Sequence, residues 1–336
     1  MPGRPHGVRT RRHRRARRRG GPPRRPAVHL GRLSPAQYAG SRGPDARRSG
    51  VTVANGPVVI RKRLGRALKQ LRVQRRRRLG EIATLLEISA SKLSRIETGQ
   101  VETKFRDVHD LLDVYEAPAA DRDRILDWAN RARSPAWWEP LGPSSSGVDL
   151  DLLISHETEA RAKRTYCVPV AGLLQTEDYA RLLLNRVFDG RAPDEIERLV
   201  RLRTGRRHVI DPGRSDAPPL ELHVLMDEVA LHRCADPEVL RGQVAALLER
   251  AAQPNVTLQI VPFRAGWTTA TSTFSIFDPR EPSVDRRVVN VEGTGSDTFV
   301  DDPQAVAGYE DVWTELLGVA LSERDSVAVL TDALGR

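Results

Sequence analysis

The chain has 336 residues, more than one compact domain usually holds, so two or more folding units are expected. No apolar run approaches the ~18 residues of a membrane-spanning helix. Cys167 and Cys234, far apart and outside any CxxC pair, supply neither a disulfide framework nor a thiolate metal site. The net charge of +10 is unevenly placed: 15 arginines against one aspartate in residues 1–50, 14 basic against 8 acidic residues in 57–116, and 25 basic against 35 acidic in 117–336. A basic module therefore precedes an acidic body.

Residues 1–56 are dominated by Arg, Pro and Gly and have no periodic apolar face, so they are expected to be a disordered extension. Two readings stand for it: a basic arm that binds phosphates without sequence preference, or GC-rich upstream coding sequence that is not natively translated, with the start at Val51 or Val53. No apolar stretch follows "RRHRRARRRGG", which argues against a secretory signal.

From Ile60 the pattern is helical. Leu64, Leu68 and Leu71 fall on one face of a first helix, and Ile82, Ala83, Leu85 and Leu86 make a short second one, with small Ala83 where helices cross. "SASKLSRIETGQ" is a third helix with both ends marked. Ser89 is its N-cap, Ile88 can staple onto Leu93, and Gly99 supplies the left-handed residue that ends it. Only Leu93 and Ile96 face inward. Val108, Leu111, Leu112 and Tyr115 define a fourth helix, and Ile125, Leu126, Trp128 and Ala129 a fifth.

Residues 134–147 read as a linker, with Trp137 and Trp138 either docking it onto a domain or belonging to a partner surface. The second unit, 148–336, opens with a helical pattern from Leu152 to about Thr165. A helix capped by Thr176 follows, and "DEIERLVRLRTGRR" continues in helical period. "LELHVLMD", "NVTLQIVPF", "TSTFSIFD" and "RRVVNVEG" are predicted strands, the first two separated by a helix capped by Asp236. Two capped helices close the chain. The fold class is thus a mainly α, five-helix domain at 57–133 and a larger α+β domain.

Three short helices with a capped third satisfy helix-turn-helix geometry. "LGEIATLLEISASKLSRIETGQ" resembles the Cro/repressor-like (XRE-type) DNA-binding class, in which Ala83, Ser89 and "SRIETG" match recurrent positions. Arg77 and Arg78 stand where that class usually has Leu-Thr, Gly80 replaces Glu or Gln, and Glu87 replaces the turn glycine. "VAGLLQTEDYARLLL", "RLVRLRTGRR", "VLMDEVALHR" and "VDDPQAVAGYEDVWTELLGVALS" resemble the effector half of actinomycete antitoxin-like regulators, the WhiJ-like ones among them. That resemblance implies a small acidic partner protein.

The expected base-reading residues are Ala90, Ser91, Lys92 and Arg95, at the exposed start and middle of the third helix. Lys92 and Arg95 can donate to guanine O6 and N7, Ser91 can meet any base, and Ala90 can touch a thymine methyl. Arg95 has a competing structural reading, an ion pair with Glu97 or a helix-two acid. Arg75, Arg76, Arg77, Arg78, Lys69, Arg72 and Lys104 are candidates for phosphate contacts, against the plainer reading of a solvated charged face. Ala83, Ser89, Leu93, Ile96, Glu97 and Gly99 are expected to be structural.

No catalytic or metal motif stands out, and no cofactor is expected. "HETEA" at His156 lacks the second histidine of HExxH, and Asp227-Glu228 and Asp301-Asp302 read as helix-cap acids. Trp267 and Phe274 have two readings, the lining of a groove or, more simply, core. The sequence therefore predicts a cytoplasmic, nucleoid-associated, non-enzymatic regulator. It would bind a pseudo-palindromic DNA operator as a homodimer, or capture a small acidic protein with DNA binding as autoregulation; deleting 57–116 would separate these readings.

Overall fold

The helical signals after Val58 are realised as five helices in a computed structural model that describes residues 58–134, 136–141, 149–214, 217–293 and 296–335. The predicted disordered extension, 1–56, lies outside the described residues, as does the end of the predicted linker. The helices are α1 (Val58–Gln74), α2 (Leu79–Leu85), α3 (Ala90–Glu97), α4 (Phe105–Val114) and α5 (Ala119–Arg131). Their core joins Leu64, Leu68, Ile82, Leu93, Leu111 and Trp128, all nearly or fully buried. Leu85, counted with the apolar residues of α2, is instead 65% exposed. Its neighbours Ile82 and Ala83 already fill the inward side of this two-turn helix.

Past the fifth helix, Trp138 is buried and donates from Nε1 to Asp151 Oδ1 at 2.6 Å, so the start of the predicted linker is docked onto the second domain. Trp137 packs edge-on against His208 and against Gly205, where an added Cβ would meet its ring at 2.6 Å.

The second domain begins with α6 (Leu150–Glu159) and passes directly into β1 (Ala160–Cys167), where the sequence had suggested that helix would continue. Helices α7 (Glu177–Val187) and α8 (Pro193–Gly205) lead to β2 (Glu221–Asp227), and α9 (Pro237–Ala251) to β3 (Val256–Val261). Then come β4 (Phe274–Pro279), β5 (Val288–Glu292), β6 (Asp297–Val300), α10 (Pro303–Val319) and α11 (Glu323–Leu334). The sheet order is β3-β2-β1-β4-β5-β6. β1, β2 and β3 are parallel, joined by helical crossovers, whereas β4, β5 and β6 form an antiparallel meander beside β1. β6 was not predicted. Four residues long and partly solvated, it is too short to show an alternating pattern.

One sheet face packs Leu222, Val224 and Leu258 against Val244 and Leu247 of α9 and Leu330 of α11. The other packs Phe274, Ile276 and Val289 against Val306, Trp313 and Leu316 of α10. Phe274 is core, but Trp267 is fully exposed and is no part of it. β1 lies at the centre although it carries Arg161, Lys163 and Arg164. Lys163 is held by Glu157 at 2.8 Å and Arg164 by Asp278 at 3.1 Å, so its charges are compensated from other elements.

The two domains share α1. Arg63, 2% exposed, donates to Asp285 at 2.5 Å and to Glu159 at 3.1 Å, both buried carboxylates of the second domain. Arg66 also reaches Asp285, Arg131 of α5 reaches Glu159, and the Val58 N–H donates to Ser155 Oγ at 3.1 Å. Removing one partner from such a buried group costs on the order of 3–5 kcal/mol because it strands the opposing charge.

Candidate nucleic-acid interface

Helix α3, the one expected to read bases, is fixed at both ends by its own sequence. Ser89 Oγ accepts the Lys92 N–H at 3.0 Å, and at the other end Gly99 takes φ +68° with its N–H donated to Ile96 O. That glycine has a second reason to be there. A Cβ on Gly99 would lie 2.7 Å from the Lys62 backbone, and one on Gly65 would lie 2.5 Å from Ile96 O, so two bare backbones let α1 press against the end of α3.

Beneath α3, Leu93, Ile96 and Glu97 are buried. Glu97 accepts two hydrogen bonds from Arg72, Nε to Oε1 at 2.6 Å and Nη2 to Oε2 at 2.8 Å. Arg72 also donates to Arg77 O at 2.9 Å, tying the start of α2 into the same joint. Arg72, expected at a phosphate, is instead buried, with its guanidinium spent on Glu97 and Arg77 O. It lies on the apolar stripe of α1, one position past Leu71 and four past Leu68, and that placement was the available signal. Tyr115, also buried near Glu97, has its phenol pushed well above its ordinary range, mainly by desolvation.

The outward face of α3 carries Ala90, Ser91, Ser94 and Arg95, all exposed. The only acid of the helix is the buried Glu97. Arg95 makes no ion pair among the described residues, neither with an acid of α2 nor with Glu97, which is held by Arg72. Lys92 is partly exposed and pairs with Asp107 of α4, Nζ to Oδ2 at 2.6 Å, so it must exchange that carboxylate for any other acceptor.

Arg75, expected at a phosphate, is exposed but is engaged within the domain. Its Nε donates to Tyr115 O at 2.7 Å and its Nη2 to Glu116 O at 2.6 Å, closing the C-terminal end of α4. Arg76, Arg77, Arg78, Lys69 and Lys104 are exposed and carry no ion pair among the described residues. Arg78 precedes α2, where Glu81 accepts its backbone N–H at 3.2 Å in place of a side-chain cap. Ala83 is buried against α3. Glu87, in the turn between α2 and α3, adopts φ +53°.

Elsewhere the acidic pairs serve local structure. Asp227 accepts the Val229 N–H and the Tyr166 hydroxyl, Glu228 accepts the Phe263 N–H, and Asp302 caps α10. His156 is stacked between Phe277 and Phe299, with centroids at 5.3 and 5.6 Å. Among the described residues no group of three His, Cys, Asp or Glu side chains could hold a metal, and no helix is long and apolar enough to cross a membrane.

Comparison with known proteins matches residues 63–125 to a helix-turn-helix domain and residues 150–332 to a domain of unknown function, DUF5753. No curated protein and no solved structure matches the chain. A helix-turn-helix domain suggests DNA binding, and the arrangement of α2 and α3 is the one by which such domains present a helix to the major groove.

Proposed function

We propose that this chain, which belongs to the DUF5753 family, is a sequence-specific DNA-binding transcription regulator that acts as a homodimer, without enzymatic activity. The observation that carries the reading is the outward face of α3, which offers Ser91, Ser94 and Arg95 and no acid on a backbone fixed from below by Arg72 and Glu97. Arg95 is the bidentate base reader, with Ser91 and Ala90 beside it and Lys92 joining once it leaves Asp107. Arg76, Arg77, Arg78, Lys69 and Lys104 supply the salt-dependent phosphate contacts. Selecting bound sequences from a random DNA pool tests this. A dimer should enrich a pseudo-palindrome with half-sites about 34 Å apart. Failure to enrich any sequence would overturn the reading.

A second reading, an antitoxin-like protein that captures a small acidic partner, is favoured by the fully exposed Trp267, with Phe263 on the same connection also exposed. Deleting 57–116 is a poor discriminator, because it would strand the buried Asp285 and take Arg63 from Glu159. Arg95→Ala is the cleaner one. It should abolish biological effect under the first reading and spare partner capture under the second.

A further inference from the structure

The second domain encloses a cavity of about 270 Å³ between α6, α7, α8 and β1. That is far above the roughly 15 Å³ that admits one water, and close to the ~300 Å³ lower bound of small-molecule sites. Its lining combines an apolar set, Leu150, Ile154, Leu184, Phe188 and Leu199, with a polar set, Lys163, Arg203, Arg206, Gln175, Glu292 and Asp297.

Two of the three cations share one carboxylate, and the third has none in direct contact among the described residues. Glu157, fully buried behind the wall, accepts Lys163 at 2.8 Å and both Nε and Nη2 of Arg206 at 2.8 and 2.7 Å. One carboxylate thus serves two cations. Arg203 has no carboxylate within ion-pair distance among the described residues; its hydrogen bond goes to Gln175 Oε1 at 3.1 Å. Burial and the charge of Arg206 oppose the Arg203 guanidinium, and Glu292, Asp297 and Glu157 favour it only from beyond ion-pair distance, so its charge lacks a direct partner among the described residues. Glu292 and Asp297 line the same cavity. Burial, with the repulsion of Glu292, raises the carboxyl of Asp297 above its ordinary range.

We propose that this cavity binds an amphipathic small molecule with a single carboxylate, the carboxylate on Arg203 and the apolar part among Leu150, Ile154, Leu184, Phe188 and Leu199. A guanidinium fork matches a carboxylate bidentately. The site is built into the helix that holds the DNA-reading domain: Leu150, Leu153 and Ile154 of α6 line the cavity, while Ser155 and Glu159 of the same helix grip α1. Occupancy shifts α6, and through α1 the seating of α3. This coupling rests on the regulatory reading above; the binding site itself does not.

The full chain is titrated calorimetrically with decanoate and 4-phenylbutanoate below micellar concentration, with decanol and decylamine as comparisons. Saturable binding of one of the acids is expected, and which acid binds distinguishes a straight-chain from an aryl ligand. Arg203→Leu should weaken it about tenfold or more while sparing decanol, the size expected for a lost charge-assisted hydrogen bond. Arg203→Lys, which keeps the charge, should fall between. Leu184→Trp, which fills the space among the apolar residues, should abolish binding by a folded protein and serves if Arg203→Leu fails to fold. Absence of saturable binding up to millimolar acid, equal binding of decylamine, or indifference to both Arg203→Lys and Leu184→Trp overturns the proposal. Arg203-dependent binding that leaves affinity for a selected operator unchanged supports the site and overturns the coupling. Binding by a protein for which no operator can be selected supports the site while sinking the DNA reading.

Discussion

The Arg72 guanidinium holds both carboxylate oxygens of Glu97, at 2.6 and 2.8 Å, directly beneath the exposed face of α3. Either partner alone would be a buried, uncompensated charge. Glu97→Ala and Arg72→Ala are each expected to lower stability by about 3–5 kcal/mol, and Arg72→Met combined with Glu97→Leu to recover most of it. Urea unfolding of the two single variants and the double variant measures this. A double variant that loses the sum of the two single losses would show that the pair has no mutual role.

Helix α2 carries a glycine and is followed by a left-handed glutamate, and two substitutions should strengthen it. Gly80 is helical, and a Cβ there meets nothing within 4 Å, so Gly80→Ala should add about 0.8–1.0 kcal/mol. Glu87 sits at φ +53°, where a side chain costs about 1–2 kcal/mol. Glu87→Gly should therefore stabilise, less the entropy that glycine adds to the unfolded chain. Thermal unfolding of both variants reads the sign directly.

Acid should loosen the junction between the domains. Burial, with Lys62 and Arg66 nearby, pushes the His156 imidazole down to about 3. The unfolded chain takes up that proton near pH 6.5 and the folded chain refuses it, so stability falls as pH drops from about 6.5 towards 3. The loss between pH 7 and 5 is on the order of 2 kcal/mol, and His156→Phe should remove most of it. Glu157 acts in a lower window. Arg206 and Lys163 outweigh its desolvation and hold it at about 2, so its contribution is present above the ordinary glutamate range and is lost as pH falls through about 2. Urea midpoints at pH 7 and 5 for the wild type and His156→Phe separate the two groups.

Lys92 and Asp107 make a testable switch at the groove face. Asp107→Asn frees the ammonium and deletes a negative charge, so DNA affinity should rise several-fold at low salt and less as salt screens it. Arg95→Ala should instead cost about 1–3 kcal/mol and relax preference at one base position. Binding titrations on the selected operator and on scrambled DNA distinguish these outcomes.

The reading helix was legible because its determinants are local: Ser89 three residues from Lys92, Gly99 just past the last turn, Leu93 and Ile96 on one face. The capped helices of the second domain were legible for the same reason. β1 was not. Ala160 to Arg164 is made of good helix formers, and what permits a strand there is compensation of Lys163 and Arg164 by Glu157, Asp278 and Glu310, the last two more than a hundred residues away. Arg63 lies on the inward face with Ile60 and Leu64, yet its partners are 96 and 222 residues distant. Charged residues on apolar stripes marked where the domains meet, but nothing in the sequence named what they meet.

The peptide between the domains looks like a flexible tether, but α1 is seated in the body of the protein by Arg63, Arg66 and the Val58 N–H. In a two-fold dimer the reading heads then behave like the fixed jaws of a caliper. Such a protein does not adjust to its operator by stretching a hinge. Inserting or deleting a single base pair at the centre of the site should be tolerated about as badly as a wrong base within a half-site, because the DNA must bend to fit.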